Sequence, residues 1–300
     1  MSRRRAPIAA TALAGLLWGS SFIVVKLGLR SIDPYWFVLL RFATAAAVAV
    51  SYAAMTGRGR AFGRLLTDPL VIWLGVSNGI GFALQFQGQT LTTAGKAALF
   101  VNSSTILVAI ASRYLFRERF TSVKVAAIAV GMLGVLLVTT GGVFRLTAGP
   151  ELRGDLLVLA AAVLWTAFIL LDKRIVASAD VDVRALTAAM TTVTALTVLP
   201  VALVLGHGGP PPLDARLWVV GYTAVLCTVL PFLLWSWGLK FISATSSCVI
   251  LLIEIVFAIA LAAVVFGERL TPGAMVGAAL IMGAVYLISR GVVPQASVRS

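Results

Sequence analysis

Long apolar runs, each about the length of a membrane-spanning helix, alternate with short polar breaks along almost the whole chain. A helix rises about 1.5 Å per residue, so about 20 residues cross the hydrocarbon core of a bilayer. The runs are continuously apolar rather than alternating, which excludes the strands of a membrane β-barrel. The pattern predicts ten transmembrane helices, over residues 7–29, 34–55, 69–90, 97–115, 122–141, 155–172, 183–205, 216–237, 245–266 and 272–289.

Helix-start signals stand at several of the breaks. Residues 33–34 and 68–69 are Asp-Pro and residues 271–272 are Thr-Pro, so each pair places a capping side chain before a proline at the first helical position. The segment GHGGPPPLD at 206–214 is a loop by composition. The basic start and the first apolar run resemble a signal peptide, but the run continues to about residue 29, which predicts an uncleaved first helix.

Composition supports the same class. The chain is 60% hydrophobic and 12% charged, against about 45–50% and about 25% in soluble domains. The net charge of +13 is spread singly between apolar runs rather than along one face, so we expect no nucleic-acid partner. Cys227 and Cys248 lie inside apolar runs without a CxxC or Cys/His cluster, so we expect no metal and no cofactor.

The distribution of basic residues predicts the orientation. If the N terminus is cytoplasmic, sixteen of the 24 Lys and Arg residues lie on the cytoplasmic side and seven on the other, with Arg41 inside the second helix. Cytoplasmic loops carry the excess of Lys and Arg, so both termini are predicted to be cytoplasmic. We expect a multi-pass protein of the cell inner membrane.

The two halves of the chain resemble each other. FRERFTSVK (116–124) matches FGERLTPGA (266–274), and LLWGSSFIVVK (16–26) matches VLWTAFILLDK (163–173). Five helices per half require the second copy to cross the membrane upside down. The predicted domains are therefore a first repeat at 1–145, an inverted second repeat at 150–292 and a tail at 293–300. Inverted repeats are typical of secondary transporters, whose substrate site lies near the midplane between the halves.

The chain resembles the EamA-type family of the drug/metabolite transporter superfamily over nearly its whole length. The resemblance is carried by LLWGSSF in the first helix, LLRF around Arg41 and the paired FRERFT and FGERLT ends of the fourth and ninth helices. It implies two inverted five-helix repeats around a central cavity and the transport, often the export, of metabolites such as amino acids. The family often has a proline where this chain has Ile255, which weakens the argument for a broken ninth helix at that point.

Glu254 is the most unusual residue, because it is about nine residues, or about 14 Å, from either end of the ninth helix. An ionised side chain at the bilayer centre costs at least about 2.5–3.5 kcal/mol. Three interpretations stay open: a site for a coupling proton or a substrate ammonium, a structural pair with Arg41, and a carboxyl that stays protonated. The repeat places Ser104 opposite it, so the carboxylate chemistry is one-sided.

Other polar and aromatic residues are less specific. Three roles stay open for Arg41: snorkelling to the lipid phosphates, structural packing or pairing, and contact with the substrate. Lys26 and Lys173 lie near helix ends, where snorkelling is favoured. Amides and hydroxyls of the third and fourth helices line a cavity or bond between helices. Tryptophans at repeat-equivalent mid-helix positions form a substrate wall or pack. The predicted cavity residues are Trp18, Asn78, Gln85, Gln89, Asn102, Ser104, Trp165, Trp235 and Trp237.

No enzyme signature is present: the chain has no HExxH, GxSxG or P-loop motif and no pair of membrane aspartates, and His207 lies alone in a loop. No polar segment is long enough for a nucleotide-binding domain. We therefore expect not an enzyme but a secondary exporter of small metabolites, most plausibly amino acids, working by alternating access in the lipid bilayer. A facilitative carrier of other polar solutes is the alternative within transport, and an intramembrane enzyme or a non-transporting scaffold is the alternative outside it. The sequence carries no signal for the oligomeric state.

Overall fold

Among the residues that the structure describes, ten helices are long and apolar enough to cross a membrane, which confirms the predicted architecture. The computed structural model describes residues 5–141, 150–178, 180–212, 214, 217–267 and 270–291. The repeat markers Glu268 and Arg269 lie outside these residues. We number the spanning helices α1 (Arg5–Gly28), α2 (Pro34–Met55), α3 (Pro69–Leu91), α4 (Lys96–Leu115), α5 (Ser122–Thr140), α6 (Glu151–Val176), α7 (Val183–Leu205), α8 (Trp218–Leu239), α9 (Ala244–Phe266) and α10 (Pro272–Gly291).

The predicted caps start the helices. The Oδ1 atom of Asp33 accepts from the backbone N–H of Tyr35 at 2.9 Å, and Oδ1 of Asp68 accepts from that of Leu70 at 2.8 Å. Thr271 Oγ1 accepts from the N–H of Ala274 at 3.1 Å. Each side chain satisfies an N–H group that has no partner within the helix, so these ends are set by local sequence.

The helix α6 is longer than predicted, because the charged residues at its ends find partners. Glu151 and Asp155 both pair with Lys96, at 2.9 and 3.4 Å. A further short helix, Gly59–Leu66, follows α2 and was not predicted. Its residues Phe62 and Leu65 pack against the core while its arginines stay exposed. This is the amphipathic pattern of a helix that lies along a membrane surface rather than across it.

Three of the ten helices are irregular near their middle. The helix α4 is interrupted at Ser103 and α9 at Leu252, where the N–H of Ile255 bonds the carbonyl of Leu252, three residues back, at 3.1 Å. The family's proline is therefore not needed for the break. In α8, residues Val225–Val229 form a turn of π-helix. Such irregular turns occur in membranes only where other protein groups satisfy the backbone, and they are frequent at functional sites.

Small residues let the helices approach each other closely. A Cβ atom on Gly19 of α1 would lie 2.6 Å from the carbonyl oxygen of Glu254 in α9. A Cβ on Gly75 of α3 would lie 2.5 Å from the Val193 side chain in α7, and one on Gly277 of α10 would lie 2.6 Å from the Gly134 carbonyl in α5. The three GxxxG patterns at 15–19, 75–79 and 273–277 therefore serve packing within the chain.

The two repeats interlock rather than forming separate bundles. The most extensive helix pairs are α3 with α6, α5 with α10, α2 with α7, and α1 with both α8 and α9. Each of these pairs joins a helix of the first half to a helix of the second. The pairs α5 with α10 and α2 with α7 join helices at equivalent positions of the two repeats, whereas the other pairs join helices at different positions. Ten crossings put the start of α1 and the end of α10 on the same side of the membrane, which we call the terminal side; the other is the far side.

Candidate functional site

A cavity of about 130 Å³ lies at the centre of the helix bundle, beside the interruptions in α4 and α9. The helices α1, α3, α4, α6, α8 and α9 line it, and α2 adds Arg41. Of the predicted site residues, the structure places eight along this cavity. They are Trp18, Arg41, Gln85, Asn102, Ser104, Trp165, Trp235 and Glu254.

Aromatic rings form most of the cavity wall. Trp18 contacts Trp235 edge to face, with ring centroids 5.8 Å apart, and Trp235 stacks on Phe168 at 5.7 Å. Trp165 lies between Phe168 at 5.5 Å and Phe82 at 4.7 Å. These contacts link α1, α3, α6 and α8 in one continuous layer, which can hold an apolar or planar ligand group.

Three phenylalanines of this wall were not predicted from the sequence: Phe82, Phe168 and Phe232. Each is three residues from a predicted cavity residue on the same helix, respectively Gln85, Trp165 and Trp235. Side chains three apart share a helix face, so this spacing was a signal that could have identified them.

Glu254 lines the cavity at the first turn of the second half of α9, just after the interruption at Leu252. Its carboxyl group makes no hydrogen bond or ion pair with any residue that the structure describes. It also faces the cavity together with Ser104, the residue that the repeat places opposite it. An unpartnered carboxyl in an apolar cavity is available to a proton or to a cationic ligand group.

Arg41 is 1% exposed and so does not snorkel to the lipid phosphates, which corrects one of its predicted roles. Its Nε donates to Thr228 Oγ1 at 2.8 Å and its Nη2 to the Cys227 carbonyl at 2.7 Å, both in the π-helical turn of α8. Its guanidinium also lies over the Phe82 ring, 4.7 Å from the centroid. No carboxylate of the described chain pairs with it, so the ion pair with Glu254, one of the three interpretations left open by the sequence, does not form in this conformation.

Neutral polar groups complete the cavity. Gln85 is held by Trp165, whose Nε1 donates to its Oε1 at 2.8 Å. Asn102 donates to the Ala98 carbonyl at 2.9 Å, one turn back in α4, just before the interruption at Ser103. Trp235 Nε1 donates to Ser247 Oγ at 2.8 Å. The indole N–H groups of both tryptophans are therefore occupied by protein partners, which orients their rings.

Three other predicted cavity residues lie elsewhere. Asn78 is fully buried between α3 and α7, where its Nδ2 donates to Thr194 Oγ1 at 3.0 Å, so it serves helix packing. Trp237 is 39% exposed on the terminal side and packs on Phe241 instead of facing the cavity. Gln89 lines a second, wider cavity on the far side.

The far-side cavity has a volume of about 740 Å³ and connects the central cavity to the far side of the membrane. The two share Ser21, Phe22, Arg41, Phe82 and Gln85 and so form one continuous path. Lys26 and Arg30, at the far end of α1, line the mouth, and the Lys26 ammonium lies 5.3 Å from the Phe266 ring centroid.

The terminal side of the path is closed by hydrogen bonds to the α8–α9 turn. Lys173 is 4% exposed, and its Nζ donates to the carbonyls of Leu239 and Ile242, each at 2.8 Å. Glu118, between α4 and α5, accepts from the N–H of Ala244 at 3.0 Å and pairs with Lys124 at 3.1 Å. The prediction that Lys173 snorkels is therefore wrong: this lysine ties α6 to the turn.

Within the described ranges, no group of three or more His, Cys, Asp or Glu side chains could hold a metal ion. What the cavity offers is an apolar wall, one unpartnered carboxyl and one buried guanidinium. This arrangement can bind a small amphipathic molecule from the far side.

Comparisons with known proteins agree with this architecture. The family model described as the EamA-like transporter family matches twice, at residues 6–140 and 152–290. The chain is also similar to a solved crystal structure with a TM-score of 0.80 and 19% identity, over 94% of this chain and 96% of that one. At that identity the likeness shows the fold.

Curated relatives of similar length are transporters by name. An uncharacterized transporter of Archaeoglobus fulgidus is 25% identical over 92% of this chain and 94% of its own. A probable amino-acid metabolite efflux pump of Salmonella typhimurium is 27% identical over 92% of each. A probable terminal-alkyne amino-acid exporter of Streptantibioticus cattleyicolor is 28% identical over 94% of this chain and 92% of its own. Two family matches that together span most of the chain, on a fold of ten apolar helices, show that this multi-pass inner-membrane protein belongs to the EamA-like transporter family.

Proposed function

We propose that the protein is a secondary transporter that exports small amino-acid-like metabolites by alternating access. The observation that carries the proposal is the central cavity, where Glu254 and Arg41 lie among aromatic rings. A zwitterionic amino acid carries an ammonium group, which a carboxylate attracts, and a carboxylate, which a guanidinium binds. The names of two relatives, an amino-acid metabolite efflux pump and an amino-acid exporter, support this substrate class.

In the proposed binding mode, the substrate ammonium meets Glu254 and its carboxylate meets Arg41. The Nε and Nη2 atoms of Arg41 already bond Thr228 and Cys227, so the remaining nitrogen, Nη1, serves the ligand. The aromatic wall of Trp18, Trp165 and Trp235 receives the side chain. Apolar and aromatic side chains are therefore expected to be preferred over acidic ones.

For the transport cycle, we propose that the terminal side is cytoplasmic, as the excess of basic residues favours. The structure is then open to the outside, in the state that follows substrate release. Opening the other side requires the bonds of Lys173 and Glu118 to the α8–α9 turn to break. Rocking of one repeat against the other would exchange the two states.

Flux through proteoliposomes tests the proposal. Purified protein should exchange internal for external radiolabelled amino acids, and an excess of an unlabelled transported amino acid should compete. Turnover of a covalent bond without flux would instead support an intramembrane enzyme, and neither flux nor turnover would support a scaffold.

The variant Glu254→Gln tests the role of the carboxyl. If Glu254 couples protons, the variant loses the dependence of net flux on the pH gradient while exchange at equal pH survives, because an amide cannot take up a proton. If Glu254 serves only as the ammonium site, exchange itself falls. Glu151→Gln, which removes a carboxylate outside the cavity, should change neither. Unchanged pH dependence in Glu254→Gln would end the idea that Glu254 couples protons, whereas a wild type without any dependence on the pH gradient would favour a facilitative carrier.

A further inference from the structure

A second groove lies on the terminal side, away from the transport path. It has a volume of about 480 Å³ and runs between the end of α2, the start of α7 and the end of α8. We call it the basic groove and define it by Tyr52, Asp182, Arg184, Leu233, Trp237 and Lys240. None of these residues lines the central or far-side cavity.

The rim of the basic groove is positively charged. Asp182 Oδ2 pairs with Arg58 Nε at 2.8 Å and with Arg184 Nη2 at 3.1 Å, and Lys240 joins the same rim. Partial burial alone would raise the pKa of Asp182, but hydrogen bonds from Arg184 outweigh it and lower that pKa. The carboxylate therefore stays ionised at neutral pH. Two cations of the groove lining, Arg184 and Lys240, outnumber Asp182, and Arg58 pairs with Asp182 from outside the lining.

The basic groove changes from polar to apolar with depth. Lys240 and Leu233 are seven residues apart on the same chain segment, which corresponds to about 10 Å along a helix. The lower wall is formed by Leu233 and Leu234 and is flanked by Tyr52 and Trp237, which are 42% and 39% exposed. Half-exposed Tyr and Trp side chains are typical of the level where headgroups meet acyl chains.

The inverted repeat supplies a natural comparison on the far side. Asp33 caps α2 as Asp182 caps α7. The Oδ2 atom of Asp33 accepts from the His207 N–H at 3.1 Å, whereas the Oδ2 atom of Asp182 pairs with Arg58. In the same alignment Tyr35 stands in place of Arg184. By the offset of 150 between FRERFTSVK (116–124) and FGERLTPGA (266–274), the residue in place of Lys240 is Thr90. The repeat therefore preserves the capping carboxylate on both sides but places the cations on the terminal side alone.

From this chemistry we propose that the basic groove binds an anionic phospholipid from the terminal-side leaflet, with the phosphate held by Arg184 and Lys240 and an acyl chain along Leu233 and Trp237. A basic pocket between helices at the membrane surface is the kind of site that binds anionic headgroups. An acidic protein segment would match the charge but would leave the apolar wall, which lies at acyl-chain depth, without a partner. The inference does not depend on which solute the central cavity carries.

Lipid titration of the purified, detergent-solubilised protein tests this inference. Phosphatidylglycerol should bind more tightly than phosphatidylcholine, as read from lipid adducts in native mass spectrometry and from the rise in melting temperature. In the double variant R184Q/K240Q the affinity for phosphatidylglycerol should fall about 30-fold, since each basic residue near the surface contributes about 1 kcal/mol. Arg58 still pairs with Asp182 in this variant, so the cap of α7 is kept.

The matched control is R113Q/R119Q, which removes the same charge from exposed terminal-side residues outside the groove. It should bind phosphatidylglycerol as the wild type does. Equal binding of the two lipids by the wild type, or equal loss in the two double variants, would overturn the proposal. Stabilisation by soluble glycerol phosphate to the same extent as by the lipid would overturn the assignment to a lipid. If R184Q/K240Q melts lower on its own, the difference between its melting temperatures in the two lipids remains the deciding measurement.

Discussion

At the scale of single residues, two ionisable side chains that line the same cavity have opposite surroundings. Arg41 is satisfied by two neutral oxygen acceptors in α8 and by an aromatic face. Glu254 has no described partner and is placed where helix α9 changes course. Because an unpaired charge is expensive in a membrane interior, the bonds of Arg41 hold its guanidinium in place beside the cavity, whereas the carboxyl of Glu254 is left for a ligand or a proton.

We predict that Arg41→Lys destabilises the protein by about 2 kcal/mol. A lysine ammonium cannot reproduce the two directed hydrogen bonds to Thr228 and Cys227, and a bond to a charged group contributes about 1.5–3 kcal/mol. The measurement is the melting temperature in detergent. Arg113→Lys is the control, because Arg113 is exposed and makes no hydrogen bond to the described chain. Equal melting temperatures for wild type and Arg41→Lys would show that these bonds add no net stability.

At the scale of elements, the contacts between helices depend on glycines at particular faces. In α10, Gly277 touches the backbone of α5, whereas a Cβ atom on Gly283 would meet nothing within 4 Å. Both lie in the same helix, so they differ in packing and not in helix propensity. Apolar surface is equally well solvated by lipid, so close packing is a main source of helix association in a membrane.

The pair predicts opposite outcomes for the same substitution. Gly277→Ala should destabilise by about 1–3 kcal/mol, because its Cβ would lie 2.6 Å from the Gly134 carbonyl oxygen. Gly283→Ala should be neutral or stabilising by up to about 1 kcal/mol, the difference in helix propensity. Thermal unfolding of the two variants side by side is the measurement. A loss of the same size in both would mean that the α5–α10 contact is not tight in the membrane.

At the scale of the whole molecule, the path is open on the far side and closed at the α8–α9 turn. Lys173 and Glu118 hold that turn from two different elements, α6 and the α4–α5 connection. Lys26, the repeat counterpart of Lys173, is exposed at the far-side mouth. Equivalent positions in the two repeats thus have different surroundings, as expected when an inverted-repeat protein is captured open on one side.

We predict that Lys173→Met shifts the population toward the state open on the terminal side. Single cysteines at Ala262, in the far-side cavity, and at Ser246, buried behind the turn, report on the two sides in a C227A/C248S background. With Lys173 present, a thiol reagent should label Ala262→Cys and spare Ser246→Cys. With Lys173→Met, labelling at Ser246→Cys should rise about tenfold. A tenfold change in population requires about 1.4 kcal/mol, and the two charge-assisted hydrogen bonds that the variant loses contribute more than that.

The control is the same lysine substitution with the melting temperature as the readout. A variant that stays folded but labels both positions as the wild type does would contradict the role of Lys173 in closure. Labelling of both positions at once would instead indicate a loosened bundle.

The sequence by itself determined the ten spans, the capped starts of three of them and the duplication. Span length and caps are local properties, because each helix satisfies its own backbone and each cap bonds within its own first turn. Trp18 with Trp165 and Ser104 with Glu254 were located because the repeat superposes them.

Only the tertiary structure decided which way the polar side chains face. Asn78 and Gln85 lie on one face of α3 by spacing, yet Asn78 bonds α7 and Gln85 lines the cavity. Nor does the sequence reveal that Arg41 bonds a π-helical turn or that α9 breaks without a proline. The physical reason is that lipid and protein interior are similarly apolar, so hydropathy shows where a helix lies but not which neighbour its faces meet; that depends on the packing of all ten helices together.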